Sequence, residues 1–376
     1  MIDIASLESI LNAITGGATK GLEVLRLPGD ASNRTYYRVS WKSASHPFPL
    51  QQSQGEQVIP VPVSLILMAL SEPEGFKVSE EAVTGAVSPI TELPFINIHR
   101  RLESCPIRVP KIFHYDSERG WILLEDLGDV LLADAVSKHP LDSKTVLDLY
   151  QKAIDTLIAM QRFATPISKI PTLAHSRSFE QSLFVWEFDH FIEYGIEKRE
   201  GVSISEKDRH LIQAAFSDIA LRLATLPQVF THRDYHSRNL MIHQGDTASN
   251  PICVIDFQDA LMGPREYDLA SLLRDSYINL PEPVIDGLIL YYIEQSGEKT
   301  GEKIHKEQFR EFFDLISIQR NLKAAGRFVY IDQVKNNPKF LPYIPATLLK
   351  VKRNLEKNKR FKPLQELLSK YVKELR

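Results

Sequence analysis

Apolar residues open the chain at helical spacing: Ile4, Leu7, Ile10, Leu11 and Ile14 fall on one side of a helix predicted over residues 3–16. Gly16 and Gly17 then break the pattern, since glycine weakens a helix and readily supplies a turn. The period shortens next. Residues 22–27, 35–41, 63–70 and 121–124 are short runs rich in aromatic, β-branched and leucine side chains, and they predict strands. A polar segment rich in proline, glutamine and serine, residues 43–60, predicts a long exposed hairpin loop between the second and third runs. Phe95, Ile98 and Leu102 restore helical spacing over residues 94–102, which stops before Pro106.

From Thr145 onward the pattern is mostly helical. Residues 229–259 interrupt it as a loop and β-hairpin, with a polar surface turn over 243–251, and helices resume at Asp268. The tail, residues 350–376, is rich in lysine and arginine, with Leu364, Leu367, Leu368 and Val372 at helical spacing. A basic amphipathic helix can meet a membrane surface, but a terminal helix docked on the rest of the helical part is the plainer reading. The whole predicts an α+β chain of two lobes: residues 1–126, small and β-rich with one packed helix, and residues 127–376, larger and mainly helical. The boundary falls at Glu125-Asp126-Leu127-Gly128, directly after a strand and before helical sequence.

Composition narrows the function by exclusion. With 376 residues the chain can bury a large core, and 43% apolar with 25% charged residues is ordinary for a soluble protein. A formal charge of -3 gives no support to nucleic-acid binding. Cys105 and Cys253 are far apart, and Cys253 sits in a predicted buried strand, so they read as thiols in a reducing compartment. No apolar run approaches the ~20 residues that span a bilayer, and Met1-Ile2-Asp3-Ile4 lacks the basic start of a secretory signal. A cytoplasmic protein is expected, with no membrane, nucleic acid or obligate protein partner.

The chemistry is concentrated in His232-Arg233-Asp234-Tyr235-His236-Ser237-Arg238-Asn239 and in Asp256, which closes the apolar run 252–255. A lone aspartate or asparagine in a loop is usually a turn former. An H-R-D-x-x-x-x-N loop followed by a strand and a terminal aspartate is a different matter. Asp234 is placed to orient a substrate hydroxyl and accept its proton, while Asn239 and Asp256 offer the hard oxygen ligands that Mg2+ prefers. This is the equipment of phosphoryl transfer from ATP, with ATP and Mg2+ as the implied cofactors. Gly29, Asp30, Ala31, Ser32, Asn33 and Arg34 lie between two predicted strands. Alone they read as a hairpin turn; beside the downstream loop, their backbone N–H groups suit nucleotide phosphates. Backbone groups of Glu125 and Leu127 would meet the adenine edge. His232 and Asp268 are given structural roles. Asp259 and Arg274 are assigned to the acceptor, with a scaffold role for each as the alternative.

These motifs resemble the aminoglycoside phosphotransferase/choline kinase superfamily, relatives of protein kinases that phosphorylate small molecules. The match runs from the turn at Gly29 to the helices after Asp268. Leu123-Leu124-Glu125-Asp126-Leu127-Gly128, Ile255-Asp256-Phe257-Gln258-Asp259-Ala260, Tyr267-Asp268-Leu269-Ala270 and Gln319-Arg320-Asn321-Leu322-Lys323 look like one bacterial branch. That branch includes cell-wall-recycling kinases acting on the anomeric hydroxyl of N-acetylmuramate and N-acetylglucosamine. The resemblance implies a protein-kinase-like fold, a small sugar as acceptor and a sugar 1-phosphate as product. Trp186, Glu187, His190, Asp259, Arg274 and Gln319 are then candidates for sugar recognition, and Arg274 or Arg320 for a lactyl carboxylate. One departure stands out: Met68 occupies about the place of the usual small-lobe lysine. An aminoglycoside- or choline-type kinase remains an alternative, as does a nucleotide-binding pseudoenzyme.

Overall fold

The computed structural model describes residues 2–16, 19–28, 34–43, 64–70, 92–170, 172–243 and 250–376. Apart from Ser43, the expected loop over 43–60 lies outside the described residues, as do the turn residues Gly29, Asp30, Ala31, Ser32 and Asn33 and most of the turn over 243–251. The chain divides into two compact units, residues 1–74 with 110–128, and residues 75–109 with 129–376.

The first unit begins with helix α1 (Ile4–Thr15). Asp3 caps it by accepting the N–H of Ala5 at 3.2 Å, and Gly16 ends it in a left-handed conformation, φ 73°. Strands β1 (Thr19–Arg26), β2 (Arg34–Ser43) and β3 (Ser64–Leu70) follow. The chain leaves this unit through helix α2 (Pro94–Glu103) and returns for β4 (Ile112–Asp116) and β5 (Trp121–Glu125). The strands pair antiparallel in the order β1-β2-β3-β5-β4. Because side chains alternate across a strand, Val39, Trp41, Leu65, Leu67, Trp121 and Leu123 share one face and pack with Leu7 and Leu11 of α1. Met68, cross-strand from Tyr36 and Ile122, is also fully buried. At the end of β5, Asp126 accepts hydrogen bonds from Arg38 Nε and Ser64 Oγ, both at 2.7 Å. Burial alone would raise its pKa, but these bonds hold the carboxyl below the usual range. β4 is the strand the periodicity missed.

Helix α2 belongs with the second unit, although the sequence pattern grouped it with the strands. Asn97 Oδ1 accepts the N–H of Leu173 at 2.8 Å, and Arg101 donates to the carbonyls of Phe163 and Pro166, both at 2.7 Å. Phe95 stacks on Phe257, 4.9 Å between ring centroids. In chain order this unit continues with α3 (Leu132–Ser137), α4 (Lys144–Ala164) and α5 (Gln181–His190), which runs into a π-helical stretch, Phe191–Lys198. Next come α6 (Glu206–Ala224), β6 (Gln228–Thr231), β7 (Leu240–Ile242), β8 (Ile252–Val254), β9 (Leu261–Pro264) and α7 (Glu266–Leu273). The rest is helical: α8 (Glu282–Thr300), α9 (Lys306–Lys335), α10 (Ile344–Glu356) and α11 (Lys362–Ser369). The basic tail turns Leu364, Leu368 and Val372 inward, the docked arrangement expected of it. Cys105 and Cys253 are buried and form no disulfide.

α9 approaches the α5–π-helix junction at a glycine. A Cβ on Gly326 would stand 3.0 Å from the Phe191 Cα and 3.2 Å from the His190 carbonyl oxygen. These neighbours are backbone atoms and have little room to move. The position therefore sets how α9 presents its residues to α5.

Candidate active site

The loop between β6 and β7 carries Asp234, and hydrogen bonds to its own backbone shape it. His232 is fully buried, and its Nε2 lies 2.9 Å from the carbonyl oxygen of Ile255. Burial lowers its pKa and favours the neutral ring, so Nε2–H donates that bond. Arg233 adopts φ 75°, a left-handed conformation uncommon for a residue with a Cβ. Asp268, fully buried in α7, pins it: its carboxylate accepts the N–H of His232 at 2.7 Å and that of Arg233 at 3.0 Å. Burial pushes the Asp268 carboxyl up to about 7 against the pull of those two bonds. Farther along, Asp275 accepts the N–H of Ser237 at 2.9 Å, and Arg238 lies 3.8 Å over the Tyr277 ring. The structural parts given to His232 and Asp268 from sequence agree with these contacts.

Asn239 Nδ2 donates to the Asp234 carbonyl at 2.9 Å and reaches Asp256 Oδ2 at 3.5 Å. Asp256 also has a left-handed backbone, φ 63°, and its Oδ1 accepts Gln258 Nε2 at 3.1 Å. Asn239 and Asp256 are thus brought together at the mouth of the loop. Among the described residues, no group of three or more His, Cys, Asp or Glu side chains is placed to hold a metal by itself. One carboxylate and one amide oxygen suit Mg2+, which keeps most of its ligands as water and phosphate oxygen.

Asp234 opens into a recess of roughly 100 Å³ lined by Trp186, Glu187, His190, Arg233, Asp234, Asp259, Lys323 and Arg327. Burial works to raise the Asp234 pKa, but Lys323, His236, Arg320 and Arg233 together hold it well below the ordinary carboxylate range. Glu187 has no exposed surface; it lies 2.6 Å from Lys323 Nζ, accepts Gln319 Nε2 at 2.6 Å and takes Arg233 at 3.4 Å. Trp186 stacks on His190 at 5.7 Å, and His190 meets Tyr194 at 4.7 Å and Tyr330 at 5.5 Å, forming an aromatic wall.

Of the sequence candidates, Asp259, Trp186, Glu187 and His190 line this recess, and Gln319 acts on it through Glu187. Arg274 does not line it. It is 1% exposed, donates to Glu282 and lies 3.8 Å from Asp314, so its charge is spent inside the helical packing. Arg320 is buried and contributes its charge to Asp234. Lys323 and Arg327 lie about ninety residues from the loop in sequence. The signal that could have found them is the i, i+4 spacing of Gln319, Lys323 and Arg327 along one face of α9.

In the first unit, Arg34 begins β2. Glu125 closes β5, its N–H donating to the Lys111 carbonyl at 2.9 Å and its Oε2 accepting the Lys111 N–H at 3.1 Å. Leu127 is buried.

The sequence profile of the phosphotransferase enzyme family matches residues 23–304. An N-acetylmuramate/N-acetylglucosamine kinase of Pseudomonas putida is 30% identical over 278 residues, covering 73% of this chain and 77% of that protein. The enzyme of the same name from Neisseria meningitidis serogroup B is 29% identical over 282 residues, 74% of this chain and 79% of that one. Among solved structures, choline kinase from Cryptosporidium parvum superposes with a TM-score of 0.58 at 13% identity, over 97% of this chain and 98% of that one. ADP-bound aminoglycoside phosphotransferase APH(2'')-Ib gives 0.55 at 13% identity, over 93% and 98%. At such identities the structures speak to the fold alone, and it is the protein-kinase-like fold.

Proposed function

Since the chain belongs to the phosphotransferase enzyme family, we propose that it transfers the γ-phosphoryl group of ATP to the anomeric hydroxyl of N-acetylmuramate or N-acetylglucosamine. The observation that carries this reading is Asp234, held ionised, at the edge of a recess with cationic side chains and an aromatic wall. The names of the relatives from Pseudomonas putida and Neisseria meningitidis supply the class of acceptor.

Asp234 accepts the hydrogen bond of the attacking hydroxyl, aims its lone pair and takes its proton. A carboxylate with a lowered pKa is a weak base, which suits a reaction whose loose transition state demands little proton transfer early on. An anomeric hydroxyl is more acidic than an ordinary alcohol and asks less of that base. Asn239 and Asp256 would hold Mg2+, which when bound neutralises charge on the nucleotide phosphates. Residues 29–34 and the backbone of Glu125 and Leu127 are assigned to the nucleotide. A cytoplasmic activity, where ATP is supplied, is part of this reading.

A cationic acceptor fits this recess poorly. The aromatic wall would serve a quaternary ammonium, but Arg233, Lys323 and Arg327 line the same space, and the Glu187 charge is already matched. That argues against a choline or aminoglycoside acceptor. The test is ATP, Mg2+ and N-acetylglucosamine with the product read by NMR. Phosphorus coupled to the anomeric proton is the expected result. Phosphate on another oxygen, or turnover of choline or kanamycin alone, would overturn the assignment.

A further inference from the structure

We propose that Arg327 determines acceptor specificity by receiving a carboxylate on the sugar, so that the recess favours an acidic N-acetylated sugar over its neutral counterpart. This rests on the reading above, that an amino sugar binds beside Asp234.

The argument is a charge balance. Three acids line the recess, Glu187, Asp234 and Asp259, with three cations, Arg233, Lys323 and Arg327. Lys323 and Arg233 are committed: both reach the buried Glu187. Arg327 is half-buried, and among the described residues no acid lies within ion-pair distance of it. Its guanidinium instead lies 4.7 Å over the ring of Tyr330, which Tyr194 braces edge-on at 5.1 Å. A guanidinium stacked on an aromatic ring, partly withdrawn from water and outside ion-pair distance of the described acids, presents a planar fork of donors that matches a carboxylate.

The placement also suits the reaction. Arg327 follows Lys323 by four residues on one helix face, a separation on the order of 6 Å along the axis. Lys323 acts on Asp234, where the reacting hydroxyl sits, so Arg327 stands about one turn further away. A carboxylate on a side arm two ring carbons from the anomeric centre, as in N-acetylmuramate, spans that order of distance; N-acetylglucosamine has no such group. Gly326 keeps this part of α9 against Phe191, so the position of Arg327 is set by backbone packing and not by the length of its side chain alone.

The experiment compares kcat/KM for N-acetylmuramate and N-acetylglucosamine, with ATP and Mg2+, in the wild type, Arg327→Gln and Arg327→Lys. Arg327→Gln should lower the N-acetylmuramate value about 10- to 100-fold, mainly through KM, the scale of one charge-assisted pair. It should leave N-acetylglucosamine within about threefold, and Arg327→Lys should recover part of the loss. Equal losses on both sugars, or no change in either, would overturn the proposal and make Arg327 a packing residue. Thermal midpoints for all three proteins separate that outcome from unfolding. A wild type that turns over neither sugar refutes the amino-sugar reading itself, and this inference with it; a changed ratio cannot be confused with that result.

Discussion

The carboxylate of Asp268 accepts the N–H of Arg233 at 3.0 Å and so holds in place a residue whose φ is 75°. Asp234 is the next residue in the chain, so the conformation of Arg233 aims the carboxylate proposed to meet the acceptor. Asp268→Ala removes both bonds to the loop and leaves two buried N–H groups unpaired, at a cost of about 2–4 kcal/mol. Denaturant titration should register that loss, and kcat should fall at least ~10-fold while KM for ATP changes little. A folded variant with unchanged kcat would show that the loop keeps its shape without Asp268.

The same site stores a large electrostatic dependence in Glu187. Its fully buried carboxylate answers Lys323, Arg233 and Gln319 at once. Glu187→Ala strips a buried cation of its partner and should cost about 3–5 kcal/mol. Urea midpoints measure it. A cost under ~1 kcal/mol would mean that solvent, not Glu187, balances those cations.

Gly326→Ala tests the close approach of α9. Alanine favours a helix over glycine by about 1 kcal/mol, but its Cβ would meet two backbone atoms at 3.0 and 3.2 Å. Overpacking of that kind costs about 1–3 kcal/mol, so the net expectation is destabilisation with a shift in acceptor KM. A more stable variant would contradict it.

Acid stability has a named contributor. Burial tends to raise the Glu282 pKa, but hydrogen bonding and attraction from Arg274 and Lys357 bring it down to about 2 from its usual 4.5. A depressed folded-state pKa gives stability that is present above 4.5 and is lost as pH falls from 4.5 through about 2. Glu282 is partly exposed, so solvent screening trims the effect to about 1–2 kcal/mol. Stability curves from pH 7 to 3 should show Glu282→Gln losing less than the wild type over the acid part of the range. Parallel curves would refute the assignment.

Legibility of the sequence followed the range of the interactions. α1 and the paired strands β2, β3 and β5 were visible because apolar spacing alone identifies an element with one buried face. β4 was not: Ile112 to Asp116 has no fully buried residue, so it lacks a clear alternation. The strand pairs at an edge of the sheet, and its register with β5 shifts between Ile112 and His114, which further breaks any period of two. The contacts that tie α2 to the second unit are illegible for a different reason. The contacts of Asn97 with Leu173 and of Arg101 with Pro166 join segments more than sixty residues apart, and no local pattern records them. The loop around Asp234 was legible because its residues are contiguous and their spacing is chemically meaningful. The cations facing it were not, since Lys323 and Arg327 arrive from a distant helix. Arg274 shows the converse: near Asp256 in sequence, it spends its charge on Glu282 and Asp314.

The central claim is that Asp234 orients and deprotonates the acceptor hydroxyl, and Asp234→Asn measures it most directly. The substitution keeps the size of the side chain and removes the base. With ATP, Mg2+ and N-acetylglucosamine, kcat is expected to fall about 10²- to 10⁴-fold while calorimetry shows ATP bound as in the wild type. Turnover within a few-fold of the wild type, with ATP bound as before, would contradict it and place the catalytic base elsewhere.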